Sequence, residues 1–237
     1  MFEFLKKKKP PFITAVIAAG GSSQRMGGGN KLLAELDGVP VLVHTLRAFE
    51  INAGISEIVI SAKEDMIVTY AELAKAYGIT KVTKVVAGGA DRNESVYKGV
   101  CSADVRAEYV LVHDGARPLV PQEVINRVVE ALKTHNCAAA AVKVKDTIRI
   151  IDHETGGYRL LPREDVRAMQ TPQGADKVLL TAALQNCIEK KITVTDDCAA
   201  LELLGAKPLL VEGSYRNLKI TTKEDIVSAE AFLTEEI

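Results

Sequence analysis

None of the four cysteines has a partner at metal-binding spacing. Cys101, Cys137, Cys187 and Cys198 form no CxxC pair and no zinc-like His/Cys cluster. They read as reduced, small hydrophobic residues of a cytoplasmic protein. No apolar run approaches the length of a membrane span, so no membrane partner is expected. Lys6 to Lys9 are followed by Pro10-Pro11 instead of an apolar stretch, so the basic segment reads as a solvated tail and not as a secretion signal. The net charge of −1 supplies no global field for nucleic acid or an anionic membrane. Any anionic ligand must be held by locally placed cations and backbone amides. There are no internal repeats and no low-complexity linker.

What is present is an alternation of short apolar runs and helix-period runs over 237 residues. Strands are expected at 13–19, 57–61, 81–87, 109–113 and 137–144. Helices are expected at 40–52, 65–77, 93–101 and 122–135. This order predicts an α/β fold with a mostly parallel sheet covered on both faces, whose ligands bind at the carboxyl ends of the strands. Segment 145–170 breaks the rhythm. Thr155-Gly156-Gly157 separates two short alternating stretches, which suggests a β-hairpin arm outside the main sheet. A lone hairpin is only marginally stable, so an arm in need of a partner is the stronger expectation. Helices at 176–190 and 197–204 and short strands at 208–211 and 218–220 follow. Thr221 and Glu224 have the spacing of a capping box before a final helix. A single domain spanning residues 1–237, with an arm, fits this pattern better than two domains.

Three loops carry chemistry. The first, Ala18-Ala19-Gly20-Gly21-Ser22-Ser23-Gln24-Arg25-Met26, closes the first strand and runs on to Lys31. It is neither a GxGxxG fingerprint nor a Walker loop, because Lys31 lies between Asn30 and Leu32. It still offers glycine backbone for a phosphate and two cations, Arg25 and Lys31. Alone it is equally compatible with a plain glycine turn. The second, Gly88 to Ser95, follows a strand and opens a helix. Its glycines would let a flat base lie on the backbone within reach of Ser95, or it is an ordinary turn capped by Asn93. The third, His113-Asp114-Gly115-Ala116-Arg117-Pro118, places a carboxylate at a strand end. Asp114 there suits Mg²⁺, which takes one or two protein carboxylates and leaves its other positions to phosphates and water. An Asp–Arg pair closing a turn is the simpler alternative. Strand alternation turns His113 away from Asp114, which makes it structural.

In the order AAGGSSQRMG, NKLL, GGADRNESVYKG, VHDGARP, KDTI, TPQG, TDD and NLKITT, the chain resembles the 2-C-methyl-D-erythritol 4-phosphate cytidylyltransferase family from about Thr14 to Leu233. The resemblance implies a Rossmann-like sheet of the nucleotide-diphospho-sugar transferase type and a homodimer joined through the arm. It implies CTP and a polyol phosphate as ligands. Arg25 and Lys31 match cations that stabilise the transition state. Ala18, Ala19, Gly20, Gly89 and Ser95 match cytidine-binding positions. Asp114 matches a Mg²⁺- and substrate-binding aspartate, and Arg117, Thr147 and Thr171 match positions around the methylerythritol phosphate. Arg163, supplied by the partner subunit's arm, and Lys219 match the pair that positions the substrate phosphate. The sequence departs from the family pattern twice: the first loop has one extra residue, and Ala90 stands where relatives often carry an acid.

The expected chemistry is attack of an already anionic phosphate oxygen on the α-phosphorus of CTP. It demands charge neutralisation and positioning and no general base. Ribitol-5-phosphate cytidylyltransferase is the nearest alternative, and a non-catalytic nucleotide-binding module is another. A Rossmann dehydrogenase is disfavoured by the missing fingerprint and by the lack of an acid ending the strand EIVIS.

Overall fold

A computed structural model describes residues 10–21 and 30–234. Arg25, the tetralysine and the extra residue of the first loop therefore lie outside the described residues. The main sheet has seven strands: β1 (Ile13–Ala19), β4 (Glu57–Ala62), β5 (Val82–Ala87), β6 (Tyr109–Asp114), β7 (Cys137–Lys143), β10 (Arg167–Asp176) and β11 (Leu209–Glu212). Two further two-stranded sheets pair β2 (Glu35–Leu36) with β3 (Val39–Pro40) and β8 (Arg149–Ile151) with β9 (Tyr158–Leu160). The helices are α1 (Val41–Glu50), α2 (Ile67–Ala76), α3 (Arg92–Ser102), α4 (Gln122–Leu132), α5 (Lys177–Glu189), α6 (Asp197–Glu202) and α7 (Lys223–Thr234). None is long and apolar enough to cross a membrane.

The sheet order is β11-β7-β10-β6-β1-β4-β5, and β10 alone runs antiparallel to its neighbours. Alternation along β1 explains the layers. Ile13, Ala15 and Ile17 face a core built with α1, α2 and α4, whereas Val16 faces α3, α5 and α6. Because both faces are covered, the central strands read as continuous apolar runs. The fold is therefore α/β and Rossmann-like, as the strand–helix alternation predicts.

Four local expectations change. The arm exists as β8 and β9, but 167–169 belongs to the main sheet, where Arg167 to Met169 pair with Lys143 to Ala141. Segment 218–220 is not a strand. Its backbone is pinned to the loop after β6, with Ile220 N donating to Ala116 O at 2.8 Å. Asp91, not Asn93, caps α3, accepting from Glu94 N. Ahead of α7 the Asp225 carboxylate, not Glu224, accepts from the amides of Thr221 and Thr222.

Candidate active site

β1 and β6 are parallel neighbours with Ala18 opposite Asp114, so the first and third loops emerge side by side. α3 enters from the second loop. Between them lies a cleft of about 320 Å³, lined among others by Gly20, Gly21, Lys31, Ala90, Arg92 and Lys219. That size is at the lower end of small-ligand sites. A larger hollow of about 430 Å³ between α2 and the edge strand β5 is more open and lies at the far edge of the sheet from Asp114. The smaller cleft is where the topology predicts a ligand.

The second loop is folded by its own side chains. Ser95 Oγ donates to Asp91 O at 2.7 Å and accepts from Gly89 N at 3.0 Å. A Cβ on Gly88 would come within 2.6 Å of Ser95 Oγ, and one on Gly89 would collide with Glu94, so both positions require glycine. With its proton given to Asp91, the hydroxyl has only acceptor capacity left for a base. Glu94 bonds Ala90 N at 2.9 Å, so this loop backbone is held before any ligand arrives.

Asp114 is the electrostatic centre. Its Oδ2 lies 2.9 Å from Lys219 Nζ and 3.4 Å from Arg117 Nε, and its Oδ1 is 3.8 Å from Arg92. Burial alone would raise the carboxyl, but Lys219, Arg92 and Arg117 together hold it well below the usual carboxylate range. Asp114 is therefore ionised at neutral pH. Arg117 stands behind it, donating to Asn217 O at 2.7 Å. Burial outweighs its pairing with Asp114 and lowers its pKa. Lys31 reaches across the cleft wall and donates to Ile220 O at 3.0 Å. That bond ties the first loop to the segment carrying Lys219.

Arg92 and Asp197 join this site without any role expected from the sequence. Arg92 makes two parallel bonds to Asp197, at 3.0 and 2.8 Å. Burial would lower the guanidinium's pKa, but the facing Asp197 and then Asp114 raise it. The amides of Asp197 and Cys198 both donate to Gln173 Oε1 on β10, which fixes the carboxylate that fixes Arg92.

The structure thus brings Ala18, Gly20, Lys31, Gly89, Ser95, Asp114 and Lys219 to one cleft. The side chain of Ala19 points into the core instead. Thr171 is buried behind Asp114, bonded through its hydroxyl to Asp114 N. Thr147 is exposed on the arm, and Arg163 bonds Lys145 O there. Neither lines the cleft of its own chain.

The sequence pattern of the 2-C-methyl-D-erythritol 4-phosphate cytidylyltransferases matches residues 13–235. The chain belongs to that family. A family protein of Halalkalibacterium halodurans is 44% identical over 207 residues, covering 87% of this chain and 90% of that protein. A relative from Bacillus cytotoxicus is 40% identical over 204 residues, covering 86% and 89% of the two chains. The crystal structure of the Anaerococcus prevotii 4-diphosphocytidyl-2C-methyl-D-erythritol synthase superposes with a TM-score of 0.85 at 33% identity, covering 95% of this chain and 97% of that one.

Proposed function

We propose that the protein transfers CMP from CTP to 2-C-methyl-D-erythritol 4-phosphate, releasing pyrophosphate, as an enzyme of isoprenoid precursor biosynthesis. One observation carries the residue-level reading. An ionised, buried Asp114 at the end of β6 holds Lys219 beside a glycine-lined cleft that Lys31 enters from the other loop. Two polyanions must meet in this reaction, and pre-placed cations lower that barrier without reorganisation. An oxygen of the acceptor phosphate forms a bond to the α-phosphorus of CTP, and the bond from that phosphorus to the β-phosphate oxygen breaks. Lys31 serves the triphosphate, joined by Arg25. Lys219 serves the acceptor phosphate, and Ser95 accepts from the base.

Asp114 is also the residue that would hold Mg²⁺, whose chemistry there is neutralisation of triphosphate charge. The fit rests on Asp114 Oδ1, which among the described residues has only the 3.8 Å approach of Arg92 while Oδ2 takes both closer cations. Among the described residues no cluster of three or more His, Cys, Asp or Glu side chains could hold a metal. A single carboxylate matches the habit of magnesium bound largely by phosphates.

Thr147 and Arg163 lie on the arm, away from the cleft of their own chain, which supports a homodimer whose arm completes the partner's site. The exposed arm residues Ile150, Ile151, Tyr158 and Leu160 offer the apolar surface for such a contact. Pyrophosphate release from CTP, measured with methylerythritol phosphate and separately with ribitol 5-phosphate, tests the reaction. Release with ribitol 5-phosphate alone would replace the acceptor, and release with neither would overturn the enzyme. Mixed dimers of Arg163→Ala and Lys31→Ala subunits should regain activity that each variant lacks; an absence of recovery would count against an arm working in trans.

A further inference from the structure

His113 is fully buried in the active-site strand, and the reaction above gives it nothing to do. Its ring packs against Phe49, with centroids 4.9 Å apart. Both ring nitrogens are engaged: Nε2 lies 3.2 Å from Arg117 O and Nδ1 lies 3.0 Å from Thr171 Oγ1. The same Thr171 oxygen accepts from Asp114 N at 3.1 Å.

These contacts admit one consistent placing of protons. A carbonyl oxygen only accepts, so Nε2 must carry a hydrogen. In a neutral ring Nδ1 is then an acceptor, and the Thr171 hydroxyl donates to it while receiving the Asp114 amide. That placing satisfies Nε2, Nδ1 and the Thr171 hydroxyl together. The other tautomer would set the Nε2 lone pair against a carbonyl and strand the threonine proton. A charged ring would strand that proton too, between two buried side chains.

We propose that His113, locked as the Nε2–H tautomer, is a positioning residue of the acceptor half of the active site, and that Thr171 acts through it and not by donating to substrate. The two residues grip Asp114 and Arg117, the ends of one turn that Arg117 N closes onto Asp114 O at 3.0 Å. That grip aims the Asp114 carboxylate at Lys219. The single proton of Thr171 is committed to the ring, so no donor remains for a phosphate. The inference rests on the cytidylyl-transfer reading for its kinetic arm only.

Nitrogen-15 NMR of the ligand-free wild-type protein reads the tautomer directly. A protonated Nε2 and a bare Nδ1 at neutral pH are expected, and a proton on Nδ1 would overturn the proposal. In kinetics, Thr171→Val and His113→Phe should each lower kcat/KM for the acceptor about tenfold, as for one buried hydrogen bond, with the KM for CTP within about twofold. Thr171→Ser keeps the hydroxyl and His113→Asn keeps an acceptor near the place of Nδ1, so both should recover most of the loss. The double variant should be no worse than the poorer single. Multiplying defects, or wild-type acceptor kinetics in a folded Thr171→Val protein, would refute the relay. A wild-type protein inactive on methylerythritol phosphate would strike the reaction instead, and the NMR result would still decide the tautomer.

Discussion

Replacing Asp197 by Asn tests whether the Arg92–Asp197 pair holds one wall of the cleft. The carboxylate is almost fully buried, whereas about a third of the Arg92 side chain, 31%, remains exposed. Removing one partner from a fully buried ion pair costs about 3–5 kcal/mol. Here the guanidinium keeps some water and can lean toward Asp114, 3.8 Å away, so about 2–3 kcal/mol is expected, the lower end of that range and below. For a chain of this size that corresponds to a fall in Tm of roughly 4–12 °C. The start of α6 should survive, because its cap is Asp196, which accepts from Ala199 N. The loss would therefore report the pair and not an unravelled helix. Thermal unfolding of Asp197→Asn, Arg92→Gln and the double variant closes a cycle. The double should be more stable than the sum of the singles predicts, with a coupling of about 1–2 kcal/mol, within the range for residues sharing one network. A Tm within 1 °C of wild type for Asp197→Asn, or strictly additive singles, would refute the reasoning.

Three further outcomes follow from the same geometry. Lys31→Ala should lower kcat about 10²-fold in the pyrophosphate-release assay, as for loss of one pre-placed electrostatic donor, and near-normal turnover in the folded variant would remove Lys31 from the mechanism. Gly99→Ala should destabilise by about 1–3 kcal/mol in urea, because a Cβ there would lie 2.5 Å from Val16 Cγ1 and push α3 off β1; an unchanged midpoint would show that the helix shifts freely. Stability should also fall in acid: the unfolded chain protonates His113 near 6.5 and the folded chain only near 4, so the unfolded state gains the proton first as pH drops through that window. The loss approaches about 3 kcal/mol at pH 4 while Asp114, the facing carboxylate, stays ionised; a His113→Asn protein with the same acid slope as wild type would assign the effect elsewhere.

The parallel core was legible because its strands are short apolar runs closed by turns, and β1, β4, β5, β6 and β7 appear within a residue or so of where the sequence places them. β10 was not, for a local reason. Thr171-Pro172-Gln173-Gly174 carries a residue with no amide to donate and a residue with no side chain to pack, which together read as a loop. It is a strand because it fills the gap between β6 and β7, and a register shift between Met169 and Gln173 carries Pro172 past the ladder. The three loops were legible as chemistry because glycines and charges cluster at strand ends. Arg92 and Asp197 were not, since each looks like an ordinary helix-start residue and they meet across 105 positions of sequence. The resemblance put Thr171 near the acceptor, but its contact with His113, 58 positions away in sequence, had no signal there.

The arrangement around Asp114 also explains how a chain of net charge −1 can keep several cations together before substrate arrives. Arg92, Arg117 and Lys219 converge within 4 Å of one carboxylate, and without it their mutual repulsion in a half-dry cleft would splay them. The three are not held alike. Arg92 is forked onto Asp197, and Arg117 is bonded through both its side-chain contacts to Asp114 and Asn217. Lys219 is the most exposed of them, at 39% of its side chain, and among the described residues its side chain is paired with Asp114 alone. A lysine ammonium is a point charge on a flexible stem, whereas a guanidinium fork is fixed by its geometry. Of the three, Lys219 is therefore the one that in the proposed reaction would pass from the carboxylate to an incoming phosphate at the least structural cost. The two arginines keep Asp114 ionised and oriented after it has moved.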